Sequence, residues 1–378
     1  EQCKKEENIG LLGGKTGIAF FFFYYAKLIN KQEPYDHGLE LLSSVFESIN
    51  KGYNYHTHGG GLAGIGSVIE LLSKHDFLEA DTNELLGGLD EYLYKSMIYE
   101  IENENYDFLH GAVGIGFYFL KRKTNKNSKR YLTEFVDELD KIATKDELGI
   151  RWISVLDREK QTKGFNLSLS HGLASIIAIL SKIYSEGIEK DRTLELLEGS
   201  VKYLLNQQQD IPTNESNFPS WVCETEPSTN SRLAWCYGDL GIGIALWVAG
   251  NNTGSDEWKS KAVEILLHTT KRKSNSESGV NDTGICHGSA GIAHIYNRMY
   301  NYTGIEEFKD SATFWFNRTL DMATHKDTFS GFKAFRTEQY GGPYEDFGFL
   351  EGVAGIGLTL ISAISDIEPV WDECLLLS

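Results

Sequence analysis

The hydrophobic and polar positions of this chain fall into two alternating patterns. Seven runs, residues 19–28 and 176–183 among them, are apolar nearly all round and follow a phrase of the form Gly-x-x-Gly-Ile. The phrase stands at residues 14–18, 61–65, 111–115, 172–176, 238–242, 288–292 and 352–356, at intervals of roughly 50 to 65 residues, and only the fourth replaces its second glycine, with Ser175. A helix with no polar face must be buried on most sides. Between the runs lie segments with a single apolar stripe, 39–50, 85–100, 131–143, 191–207, 257–271 and 306–323, the pattern of helices that each cover a buried neighbour. A repeat of this kind marks an architecture built from stacked units. The alternation predicts an all-α fold: an α/α toroid, or barrel, of seven inner helices ringed by outer ones, with residues 1–378 as a single domain. The paired small residues are expected to let the inner helix starts crowd near the axis. Six striped segments for seven runs leave one outer position unfilled, and the expectation is either further residues before Glu1 or an irregular position.

Three connections, 146–170, 208–232 and 325–351, are long and carry Trp, Tyr and Phe. Long loops of that composition are expected to be folded flaps and not linkers. They precede the fourth, fifth and seventh phrases, so they are expected to gather at the N-terminal ends of inner helices, over one mouth of the ring.

Charge and cysteine content narrow the partners. A formal net charge of -18 would repel nucleic-acid phosphates. It is compatible with a cationic or neutral peptide, although a solvated acidic surface is the commoner cause. The longest apolar run, 18–26, is too short to span a bilayer, so the chain is read as not transmembrane, and no secretory signal is visible at its start. Five cysteines, Cys3, Cys223, Cys236, Cys286 and Cys374, are too few and too scattered for a disulfide framework and point to a reducing cytoplasm.

The candidate chemistry sits just ahead of the phrases. One residue before them come Gly13, Gly60, His110, His171, Tyr237, His287 and Glu351; two before come Cys236, Cys286 and Ser170 among others. Equivalent repeat positions place these groups together at the helix N-termini, whose positive ends favour thiolates and oxyanions. Two thiols and an imidazole, Cys236, Cys286 and His287, with no evident fourth ligand are the set expected of a catalytic zinc. A structural zinc completed by His110 or His171 stays open, as does the plain packing of both cysteines as small hydrophobes.

Arg-x-x-Trp-Cys-Tyr-Gly at 232–238, Cys-His-Gly at 286–288 and Ser-His-Gly at 170–172 resemble the lanthionine synthetase C (LanC-like) cyclases, and the likeness extends over essentially the whole chain. The resemblance implies a Zn2+ cofactor held by Cys236, Cys286 and His287, with His171, Tyr237, Asp107 and Arg232 as catalytic residues; it assigns no role to His110, which stays a candidate. It implies a cytoplasmic enzyme, membrane-associated through a biosynthetic complex, that adds cysteine thiols to dehydroalanine or dehydrobutyrine within one peptide to form (methyl)lanthionine rings. The implied partners are a dehydrated precursor peptide with leader and core, a lanthipeptide dehydratase and an exporter. His171 is expected as the acid or base, Tyr237 as a donor to the enolate, Asp107 as the group that orients His171, and Arg232 as a support for the enolate or for Asp107. Two alternatives stay open: addition of glutathione or another thiol to dehydrated proteins, and a non-catalytic zinc-stabilised scaffold that binds peptides.

Overall fold

The computed structural model describes residues 6–157, 159–210, 215–227 and 230–378; Cys3 lies outside them. The seven apolar runs are the helices α1 (Lys15–Ile29), α3 (Leu62–Lys74), α5 (Ala112–Lys121), α7 (Leu173–Ser185), α9 (Asp239–Thr253), α12 (Ser289–Thr303) and α14 (Val353–Ile364). The six striped segments are α2 (Gln32–Asn50), α4 (Thr82–Glu102), α6 (Ser128–Ile142), α8 (Lys190–Leu205), α10 (Asp256–Thr269) and α13 (Glu306–Asp321), and a single turn, α11 (Asn275–Ser278), follows α10. In α3 every residue from Leu62 to Leu72 is buried and in α5 every residue from Ala112 to Leu120, as an all-round apolar helix requires. In α1 and α14, by contrast, Tyr25 and Ile364 are exposed.

The chain packs as two compact units. One comprises residues up to Ala80 with Gly279–Trp371, the other Asp81–Ser278 with Asp372–Ser378. In the first, α12, α14, α1 and α3 pack in that order, and α2 and α13 lie against α1 and α12. In the second, α5, α7 and α9 pack in order, with α6, α8 and α10 each against the apolar helix before it.

The repeated phrase has a physical cause. The first N–H groups of a helix have no partner inside it, and none of the seven phrase helices has a side-chain cap, whereas α4 and α10 are capped by Asp81 and Ser255. In the first unit the preceding loop folds back and supplies carbonyls instead. Lys15, Leu62, Ser289 and Val353 N–H donate to Asn8, Tyr55, Asp282 and Asp346 carbonyls, each seven residues earlier, at 2.7–3.0 Å, and in the second unit Ala112 N–H of α5 donates to Asn105 O in the same way at 3.0 Å. The close return leaves no room for a side chain at the second glycine of the phrase: a Cβ on Gly64 or Gly291 would stand 1.9 Å from the carbonyl oxygen of His58 or Ile285. These glycines therefore crowd their own loop. Neighbouring starts crowd one another as well: a Cβ on Gly17 would meet Phe349 Cβ at 2.5 Å, one on Gly10 would meet Gly60 Cα at 2.5 Å and one on Gly348 would meet Gly13 Cα at 2.8 Å.

Residues two before the phrases link neighbouring starts. Leu12 N–H donates to Gly59 O, Leu350 N–H to Leu12 O and Cys286 N–H to Leu350 O, at 2.9, 2.8 and 3.2 Å. The second unit repeats the device where Leu169 and Ser170 N–H donate to Cys236 O at 3.1 and 3.3 Å.

The expected flaps are folded, and they modify the all-α expectation locally. The first holds an antiparallel pair, β1 (Thr144–Asp146) and β2 (Gly149–Arg151), then β3 (Ser154–Asp157) and β4 (Thr162–Asn166). The second adds β5 (Trp221–Val222), giving a three-stranded sheet in the order β3-β4-β5. The third, in the first unit, is closed by one bridge between Ala334 and Tyr344.

Candidate active site

Three of the expected catalytic residues meet in the second unit. Asp107 lies in the loop before α5 and divides its carboxylate: Oδ1 accepts Leu109 and His110 N–H at 2.7 and 2.9 Å, and Oδ2 lies 2.7 Å from His171 Nδ1. The first two bonds fix the carboxylate, so the third fixes the imidazole. His171 N–H donates to Ser168 Oγ at 3.0 Å, and its ring centroid lies 6.0 Å from that of Tyr237 and 5.9 Å from that of His110. Burial on its own would lower the His171 pKa; the hydrogen bond and charge of Asp107, with a smaller contribution from Cys236, outweigh it and hold the imidazole above its ordinary value. Tyr237 is raised, chiefly by burial, and stays a phenol, with its oxygen accepting Asn166 Nδ2 at 3.3 Å.

Cys236 is 7% exposed and is tied through its carbonyl to the His171 loop, where Ser170 Oγ adds a bond at 3.2 Å. The neighbouring Trp235 is buried and its indole N–H donates to Leu375 O at 2.8 Å. Gly238 has φ +90, and a Cβ there would lie 2.6 Å from Arg232 O, so the turn that delivers Cys236 and Tyr237 to α9 admits no larger residue without strain. Arg232 itself is exposed. Among the described residues, its guanidinium makes no ion pair with Asp107, so the structure brings together Asp107, His171 and Tyr237 without it.

In the first unit Cys286 and His287 stand half-buried ahead of α12. Asp282 Oδ2 lies 3.5 Å from His287 Nε2, and Glu351 Oε1 3.7 Å from Nδ1. These three form one group able to hold a metal ion. None of Cys223, Cys236, Cys286 and Cys374 is in a disulfide, which leaves thiols available as soft ligands.

The sequence pattern of the lanthionine synthetase C-like protein family matches residues 6–376. The chain belongs to this family. It is 24% identical to the nisin biosynthesis protein NisC of Lactococcus lactis subsp. lactis, over 99% of this chain and 91% of that protein. Among solved structures it is similar to nisin cyclase, with a TM-score of 0.78 and 19% identity over 100% of this chain and 94% of that one. The α/α toroid expected from the repeat is therefore the fold of this LanC-like chain. No helix among the described residues is long and apolar enough to cross a membrane.

Sequence reasoning missed Asn166, Ser168 and Asp282. Asn166 and Asp282 occupy the position six before a phrase, where Asn8, Asn105 and Asp346 also stand. That recurrence is the available signal, four residues upstream of the position two before each phrase.

Proposed function

We propose that this LanC-like chain is a zinc-dependent lanthipeptide cyclase that closes thioether rings by intramolecular Michael-type addition. The observation that carries the reading is the Asp107–His171 pair, 2.7 Å apart, with His171 on a loop bonded to the backbone of Cys236. It is supported by family membership and by likeness along the full length to a protein named nisin cyclase.

Cys236, Cys286 and His287 are the residues that would hold zinc, because two thiols and an imidazole are the donors that suit it. When bound, zinc would lower the pKa of an incoming cysteine thiol, whose ordinary value of about 8.5 keeps it mostly protonated at neutral pH. The chain's own residues manage the proton. Sulfur bonds to the β-carbon of the dehydro residue, the electron pair moves to an enolate, and a proton must reach the α-carbon. His171, with Nδ1 held by Asp107, donates it from Nε2, and the proton lost by the thiol restores the imidazolium. Tyr237, kept protonated by burial, donates a hydrogen bond to the enolate oxygen. The substrate is a dehydrated precursor peptide with leader and core. A dehydratase and an exporter complete the cytoplasmic assembly we infer, to which the chain would attach at the membrane without spanning it.

Cyclisation leaves mass unchanged, so the test is incubation with a dehydrated peptide, with and without zinc, followed by thiol alkylation and mass spectrometry. Zinc-dependent loss of alkylatable cysteine is the expected result. Added glutathione gained in mass, with no ring closed, would overturn the intramolecular reading.

A further inference from the structure

His287 stands between two carboxylates that differ in kind. Asp282 is 2% exposed, and the oxygen facing Nε2 also accepts Phe335 N–H at 2.9 Å. Glu351, on the Nδ1 side, has a side chain 26% exposed. Asp282 also departs from the repeat. At the same position before other phrases, Asn8, Asn166 and Asp346 close a turn, their Oδ1 accepting the N–H two residues on, from Gly10, Ser168 and Gly348, at 2.8, 2.9 and 2.6 Å. Asp282 Oδ1 is buried and makes no hydrogen bond among the described residues. A buried carboxylate is costly unless it is paired, so the turn that justifies an Asn or Asp elsewhere in the repeat does not account for this one. Its engaged oxygen faces His287 and the third flap.

We propose that Asp282 is the positioning residue of the metal centre: its carboxylate holds His287 through Nε2–H, so that Nδ1 is the atom presented to zinc, on the side where Glu351 stands. A carboxylate on the far nitrogen fixes the ring orientation and tautomer of a metal-bound histidine and makes it a stronger donor. The contact with Phe335 then ties that orientation to the flap. The inference rests on the zinc reading above.

The test uses the full chain and two readouts, zinc affinity by competition with a chromophoric chelator and the nitrogen shifts of His287 in 15N spectra of the zinc-loaded protein. Asp282→Asn is expected to bind zinc about 10–100-fold more weakly. Asp346→Asn, at the same repeat position but occupied by its turn, is expected to keep the parent affinity, as is Phe335→Pro, which removes the flap N–H together with the phenyl ring. In the parent chain Nδ1 is expected to carry the metal and Nε2 the proton. Parent affinity in Asp282→Asn, metal on Nε2, or an equal loss in Phe335→Pro would each overturn the assignment, the last by reducing Asp282 to a flap anchor. Should Asp282→Asn fail to fold, the nitrogen assignment in the parent chain decides. A parent chain that binds no zinc would remove the metal reading itself, which separates that failure from this one.

Discussion

The helix starts of the first unit and those of α7 and α9 come from one phrase and are finished differently. In α1, α3, α12 and α14 the first N–H bonds the carbonyl seven residues back. Leu173 and Asp239, the equivalent residues of α7 and α9, make no such bond among the described residues. At α9 the chain enters with φ +90 at Gly238, and the Asp239 carboxylate turns to other work, accepting Asn217 and Phe218 N–H at 2.8 and 3.0 Å. Burial pushes Asp239 up to about 6 against those bonds and the Arg272 charge, so the departure from the repeat has a cost. These two starts carry His171, Cys236 and Tyr237. The repeat supplies a frame, and it departs from its own pattern at the two starts that carry the residues of the proposed site, where the first N–H would be free to face an anion.

Removing one thiol from each kind of start tests the comparison most severely. Cys236→Ala, ahead of the relaxed α9, and Cys286→Ala, ahead of the capped α12, are each expected to lose stoichiometric zinc and bring ring formation to background, by metal analysis and alkylation. Stoichiometric zinc in both variants would end the ligand assignment. A smaller effect is expected at the relaxed α7 start. His171→Ala should keep zinc and fold while slowing ring closure about 10²–10⁴-fold, the usual worth of a positioned acid or base. Closure at the parent rate would show that His171 moves no proton.

The frame is legible in the sequence because all-round apolar runs and single stripes differ over ten or more residues. The strands are not. β4 reads Thr-Lys-Gly-Phe-Asn and β5 has two residues, too short for alternation to register. Their importance lies in pairing: Asn166 closes β4, opposite Trp221, and from there reaches Tyr237. The candidate site was readable as residue types at repeat positions, Asp107 and His171 included. Arg232 rests on the motif alone, and spacing does not convey where its long side chain, exposed here, is directed. Asp282 escaped because a carboxylate before a phrase looks like another turn residue until its oxygens are traced.

At the next level down, the glycine rule separates α7 from the other starts, since a Cβ on Gly241 of α9 would still stand 2.5 Å from Trp235 O. Gly291→Ala would press a methyl onto the Ile285 carbonyl and is expected to cost about 1–3 kcal/mol, measured by denaturant unfolding. Ser175→Gly, at the equivalent place in α7, should change stability by about 1 kcal/mol or less, because that start already accommodates a Cβ. Equal effects at both positions would remove the distinction between the α7 start and the crowded ones.

The smallest expected effect concerns the proton on His171, and its sign follows from the two causes that oppose each other there. In the parent chain Asp107 outweighs burial and holds the imidazole above 6.5, so this group contributes stability that is fully present below 6.5 and is lost as pH rises through the folded value. In Asp107→Asn the bond and charge are gone while burial, the largest single cause, remains, so the folded value should fall below 6.5. The contribution then reverses, costing stability at acid pH and recovering as pH rises. The gap in Tm between parent and variant should therefore be widest on the acid side and narrow as pH increases, and the NMR titration of His171 in the zinc-free chain should move down. Because the proposed role needs the imidazolium, ring closure by the variant should fall away at a lower pH than in the parent. An unmoved His171 titration would mean that Asp107 serves the loop N–H groups of Leu109 and His110 alone.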